Sequence, residues 1–150
     1  MNLEQLTIYT TASIRKFLSQ AGFGVPVTFL QQGDEKDVPQ QDEVQILTTL
    51  SFPPRGTKNE VYGIVNIQAV VKTKIVPSDV YYHTRVKARA VDILSKPIPL
   101  LRVGGETAEY DKSRWGILRK IPSETITVTP TSIDVPDASM VETFYEIQPC

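Results

Sequence analysis

Val61-Tyr62-Gly63-Ile64-Val65-Asn66-Ile67-Gln68-Ala69-Val70-Val71-Lys72-Thr73-Lys74-Ile75 is the stretch that decides the fold of this chain. Val61, Val65, Ile67, Ala69 and Val71 share one parity, with Gly63 filling the gap, while Asn66, Gln68 and Lys72 fall on the other beside Ile64 and Val70. A period of two predicts an extended strand with one buried face. At roughly 3.3 Å per residue the run would reach about 45 Å, longer than an ordinary strand. Pro77-Ser78-Asp79 follows directly and opens a helical pattern. The centre of the fold is therefore expected to be a long antiparallel strand with a helix packed back on it.

Upstream, Val44, Ile46, Thr48, Leu50 and Phe52 alternate with Gln45, Thr49 and Ser51, predicting the strand that pairs with the long one. Residues 53–60, Pro-Pro-Arg-Gly-Thr-Lys-Asn-Glu, join the two as a projecting hairpin tip, because two prolines and a glycine cannot continue a ladder. Residues 31–43 are acidic and polar, an exposed loop of the length that usually carries function. Before it, Val25 to Leu30 reads as a short strand that Pro26 restricts to an edge or a strand start. Leu3, Leu6, Thr10, Ile14, Phe17, Leu18 and Ala21 recur at helical spacing, and Gly22 and Gly24 supply the stop.

Downstream, Ser78 is a candidate cap, Asp79 lies in the favoured first turn, and Val80, Thr84, Ala88, Val91 and Leu94 describe an inner helical face. Short strands are expected near 100–103, 115–121, 125–133 and 140–148. The order of helix, strands, helix, strands predicts one α+β domain spanning residues 1–150, a mainly antiparallel sheet with a long central β-hairpin and two helices packed on it.

The chain has 150 residues, 41% hydrophobic and 22% charged, with a net charge of −1 that supplies no global pull toward nucleic acid or an acidic membrane. The charge is unevenly placed. Residues 72–120 hold 11 of the 16 Lys and Arg but 5 of the 17 acids, while residues 121–150 hold five acids and no base. Such a dipole suits end-to-end contact between copies or partners. The single cysteine, Cys150, excludes an internal disulfide and a multi-cysteine metal site. No run of 18 apolar residues occurs, and the opening Met-Asn-Leu-Glu-Gln lacks the basic start of a signal peptide, so a cytosolic, soluble protein is expected.

Chemistry-bearing patterns are thin. His83 is the only histidine, and neither a cysteine nor a paired carboxylate stands at ligand spacing from it. Asp34, Glu35, Asp37, Asp42 and Glu43 lack the spacing of a calcium loop, and Gly104-Gly105-Glu106 is too short for a phosphate loop. No cofactor, metal or catalytic residue is expected. Arg85, Arg89 and Lys96, with Lys112, Arg114, Arg119 and Lys120 around Trp115, form a basic segment without a nucleic-acid recognition signature. Tyr81, Tyr82, Tyr110 and Trp115 read equally as interface anchors or, for Trp115, as core. The candidate subunit or partner contacts are Arg55 and Lys58 on the hairpin tip, Arg85, Arg89, Tyr110, Lys112, Arg114 and Trp115 in the basic segment, and Glu142 and Glu146 in the last strand.

The order of elements carries a family likeness. A helix from Thr10 to Gln20 precedes the strand entry Pro26-Val27-Thr28-Phe29; an acidic loop and a hairpin follow, with Tyr62 to Lys72 as its second strand. Ile75-Val76-Pro77-Ser78-Asp79 then leads into a helix, and Met140-Val141-Glu142-Thr143-Phe144-Tyr145-Glu146-Ile147 closes the pattern. This resembles the tail terminator proteins of long-tailed bacteriophages. The resemblance implies a structural virion protein rather than an enzyme, a ring, expected to be a hexamer, that caps the tail tube, ends tail growth and joins the tail to the head. Its implied partners are further copies of itself, the tail tube protein and the head connector or neck protein, with DNA passing through the lumen without specific binding and no membrane involved. It would be assembled in the host cytoplasm and reside at the head–tail junction. A head–tail connector or head-completion protein of the neck is the alternative.

Overall fold

The computed structural model of the protein describes residues 3–30, 42–52, 63–102, 114–122, 126–130 and 138–149. Among these residues the chain forms, in order, α1 (Leu3–Ser19), β1 (Val27–Phe29), β2 (Glu43–Ser51), β3 (Gly63–Lys72), α2 (Tyr82–Leu94), β4 (Ile98–Leu101), β5 (Arg114–Lys120), β6 (Thr127–Pro130) and β7 (Ala138–Pro149). The α+β class expected from the sequence is what is found. Six strands follow the order β1-β2-β3-β7-β5-β4, and β6 lies alongside β7.

The sheet is mixed, which corrects the simpler antiparallel expectation: β1 runs parallel to β2, although the other pairings are antiparallel. Parallel neighbours need a connection long enough to carry the chain back to the start of the next strand, and the 13 residues numbered 30–42 between β1 and β2 have that length. The centre also differs from a lone hairpin. β3 pairs with β2 on one side and, from Gly63↔Ile147 to Lys72↔Ala138, with β7 on the other. β7 is central because its second edge is shared, β5 taking the stretch from Tyr145 to Pro149 and β6 that from Ser139 to Glu142. β3 itself is 10 residues long, shorter than the full alternating run.

Alternation sorts the two faces. Val44 and Ile46 of β2, Val65, Ile67, Ala69 and Val71 of β3, and Val141, Tyr145 and Ile147 of β7 are buried in one core. Both helices lie over that face, α1 against β4 and α2 against β3 and β7. Helix α1 contributes Leu6, Ile14 and Leu18 as expected, whereas Leu3 is exposed. Helix α2 buries Val86, Ala90, Ile93 and Leu94. The inner face expected from Val80, Thr84 and Ala88 is therefore corrected: Thr84 and Ala88 are exposed, and Val80 precedes the helix in a turn. Ser78 does not cap it either. The cap residue is Tyr81, whose N–H donates to Asp79 Oδ1 at 3.2 Å.

Two side chains fasten the helices to the sheet. The buried Tyr145 hydroxyl donates to the carbonyl of Leu94, one of the carbonyls a helix C-terminus leaves without an internal partner. Ser13 Oγ accepts the Leu101 N–H at 2.9 Å and donates to Tyr9 O at 2.7 Å. The bond from Leu101 ties the end of β4, the strand at one end of the sheet, to α1.

Candidate functional site

Two polar clusters hold the connector between β3 and α2, residues 73–81. At its start, Asp42 accepts the Lys74 N–H through Oδ1 at 2.6 Å and the Tyr82 hydroxyl through Oδ2 at 2.5 Å. Partial burial pushes the Asp42 carboxyl upward, but the Tyr82 and Lys74 hydrogen bonds and the Lys74 charge outweigh it and hold it below its ordinary value. The same bond to Asp42, with burial, raises the Tyr82 phenol. At the far end, Asp79 receives the Tyr81 N–H and pairs with the Arg85 guanidinium, and its own N–H donates to Val76 O at 3.0 Å. Between these clusters Ile75, Val80 and Tyr81 remain exposed.

His83 begins α2 and reaches the sheet. Its Nδ1 lies 2.8 Å from Thr73 Oγ1 and its Nε2 2.9 Å from Ser139 Oγ, so both ring nitrogens are engaged by hydroxyls. Ser139 is buried at the start of β7. A general base needs a nitrogen facing a substrate atom, and this ring instead bridges the end of β3, the start of α2 and β7. Among the described residues no group of His, Cys, Asp and Glu stands close enough to hold a metal ion. Two open grooves flank the end of α1, one lined by Phe17, Gln20, Ala21 and Pro99, the other by residues from Ser19 to Val27, and neither contains an ionisable side chain among those lining residues.

The opposite sheet face carries no helix among the described residues. Reading across it in register, Leu47, Gln68 and Glu142 stand in one row, Thr49, Asn66 and Phe144 in the next, and Ser51, Ile64, Glu146 and Arg119 beyond. Gln68 Nε2 donates to Glu142 Oε2 at 2.7 Å and Gln148 Nε2 to Glu146 Oε2 at 3.2 Å. Ile64, the second residue of β3, is 42% exposed.

These positions sort the candidate contacts. Arg85 and Arg89 are exposed on α2, one helical turn apart, Arg85 on Asp79 and Arg89 donating to Phe23 O at 3.2 Å. Glu142 and Glu146 are half-buried on the uncovered face, so the sheet separates the basic pair from the acidic pair. Arg114 is exposed at the start of β5. Trp115 is 6% exposed and belongs to the core, which corrects its reading as an interface anchor. The physical reason is a register shift between Leu100 and Leu101, which pair with Gly116 and Arg114 and leave Trp115 as the extra residue of a bulge. A bulge re-aims its side chain, and here it turns the indole inward. Arg55, Lys58, Tyr110, Lys112 and Cys150 lie outside the described residues, as do residues 31–41 of the acidic loop. The exposed connector was read from the sequence only at Tyr81, as a possible interface anchor. Its signal was present in the apolar Ile75, Val80 and Tyr81 set among turn formers, which a helix starting at Ser78 would have absorbed.

No family model matches the sequence, and no curated protein matches it. A solved structure whose printed name states no activity aligns over 99% of this chain and 96% of its own at 15% identity, with a TM-score of 0.49, a likeness too distant to carry an argument. Among the described residues no helix is long and apolar enough to cross a membrane.

Proposed function

We propose that this protein is a structural virion component that works by assembling with copies of itself, a tail terminator that caps the tail tube of a long-tailed bacteriophage and joins it to the head. The observation that carries the reading is the sheet face that bears no helix among the described residues, where partly exposed Ile64 and half-buried Phe144 sit beside Glu142, Glu146 and the exposed Arg119, while Arg85 and Arg89 project from the helix-bearing side. Two unlike sides of one sheet favour head-to-tail contact between copies, and head-to-tail contacts close into a ring when the rotation per subunit fits. The order of elements, with a long alternating strand leading through a proline turn into a helix and a final strand in the middle of the sheet, agrees with the resemblance to tail terminators. A ring of six copies, the tail tube protein and the head connector are the partners this reading names.

Size-exclusion chromatography with light scattering, followed by negative-stain imaging, tests it. The expected result is a closed ring that binds tail tube protein. A strictly monomeric species at all concentrations that ignores tail tube protein overturns it. Locating the protein in the virion by cryo-electron microscopy separates a tail cap from a neck protein nearer the head.

A further inference from the structure

We propose that the outer edge of β2 beyond Ile46 is an open pairing site through which two copies of this chain join their sheets about a two-fold axis. The bonds to β1 show which way the β2 backbone points. Val44 N–H donates to Pro26 O at 2.9 Å and Ile46 O accepts the Leu30 N–H at 2.8 Å, so these groups face outward, away from β3. Alternation along a strand puts the N–H and C=O groups of Thr48 and Leu50 on the same side. β1 covers β2 only from Val44 to Ile46, and among the described residues nothing pairs with Thr48 or Leu50 there. An unpaired row of donors and acceptors is a template for another strand, and proteins blunt such edges with Lys, Pro or a bulge. The segment Leu47-Thr48-Thr49-Leu50-Ser51 has none of these: it is uncharged, holds no proline and keeps an unbroken register with β3. The edge at β4 is closed by contrast. Pro99 offers no N–H, and the outward N–H of Leu101 is taken by Ser13 Oγ.

The two edges identify the occupant. A head-to-tail continuation of the sheet needs β4 of one copy to accept β2 of the next, and β4 is closed. What the open edge meets on a second copy is therefore the same edge, in an isologous, antiparallel contact. β1 then selects the register. Hydrogen-bonded pairs form between outward-facing residues, so the axis falls at Thr48, Thr49 or Leu50. An axis at Thr48 sets Leu50 against Ile46 of the second copy, and one at Thr49 sets Ser51 against its Leu47; Leu30 at the end of β1 obstructs both. An axis at Leu50 clears it. The two Leu50 residues exchange both N–H···O bonds, Thr48 falls opposite Phe52 of the second copy, and Thr49 opposite its Ser51. Thr49 and Ser51 are exposed in the single copy, and hydroxyl pairs of this kind favour cross-strand contact with no like charges facing. This contact goes beyond the ring reading and does not rest on it. It is complete at two copies, and beside ring contacts it doubles what they build.

Sedimentation velocity on the full chain tests the pairing. One variant carries Thr49→Lys and Ser51→Lys, another Thr49→Glu and Ser51→Glu, all at exposed positions outside the core. The wild type is expected to run at twice the mass of either variant. Mixed in equal amounts, the two variants bring opposite charges face to face and are expected to recover the wild-type mass. That recovery also demonstrates that both are folded. Thr48→Pro removes an outward N–H and no bond to β3, so it is expected to lose the pairing with its circular dichroism unchanged. If the Lys and Glu variants run at the wild-type mass, the β2 edge is not a contact, and a ring of that mass keeps the ring reading. If both variants are lighter and folded but their mixture stays light, the two edges do not meet. A wild type that pairs through this edge yet never closes into a ring keeps this contact and overturns the ring reading. A wild type that runs only as a monomer overturns the contact.

Discussion

Tyr145 sits at full burial in the middle of β7, with its hydroxyl donating to Leu94 O at the end of α2 and 3.5 Å from Lys96 O. Burial raises its phenol well above the ordinary value, because a phenolate there would lack solvent. The folded state therefore holds the proton more tightly than the unfolded chain. Stability from this group is complete below the unfolded value of about 10 and declines as the pH rises past it, by at most about 1.4 kcal/mol per pH unit. Tyr145→Phe is expected to lose roughly 1–3 kcal/mol at neutral pH, through the orphaned carbonyl, and to flatten the alkaline decline. Urea titrations at neutral pH and near pH ~11 read both effects; an unchanged alkaline slope in the variant would show that another group sets it. Thr143, two positions earlier on the same face, is the converse case. Its Oγ1 is buried with no hydrogen-bond partner among the described residues. Thr143→Val removes that cost at nearly constant shape, so its denaturation midpoint is expected to rise, by about 1 kcal/mol in stability.

At the scale of elements, what the sequence made legible is what strict periodicity encodes. β2, β3 and β7 follow alternation, and α1 follows its 3.6-residue stripe, because one side of each faces a common core. The parallel pairing of β1 was not legible, since alternation within a three-residue strand does not encode which neighbour it meets or in which direction. The start of α2 was misplaced because Pro77-Ser78-Asp79 carries helix-start chemistry yet forms a separate turn, with Asp79 spent on Tyr81 and Arg85. Trp115 was open to two readings because a bulge breaks the parity that alternation relies on. The bulge makes a sharp prediction about two adjacent residues. Trp115→Ala should destabilise the chain by about 3–5 kcal/mol, as truncating a core aromatic does. Arg114→Ala, exposed beside it, should stay within about 0.5 kcal/mol. Chemical denaturation of the two variants measures the contrast, and near-equal losses would place Trp115 outside the core.

At the scale of the whole molecule, the candidate site was half legible: uneven charge showed in the sequence, whereas its separation onto two sides of a sheet required the fold. That separation has a consequence for assembly in salt. In the proposed assembly, contacts that bring Arg85 and Arg89 of one copy toward Glu142 and Glu146 of the next draw copies together over distances set by the Debye length, about 8 Å at physiological salt and 3 Å at 1 M. Raising salt should therefore slow association. Dissociation, however, is governed by the apolar area such a contact buries, which screening does not weaken. The expected pattern is a steep fall in association rate with salt and a nearly constant dissociation rate, read by light scattering after mixing and after dilution. Association that ignores salt would mean the charges at Arg85, Arg89, Glu142 and Glu146 take no part in encounter. A dissociation rate that climbs steeply with salt would mean Ile64 and Phe144 lie outside the contact, leaving an assembly held by ion pairs alone.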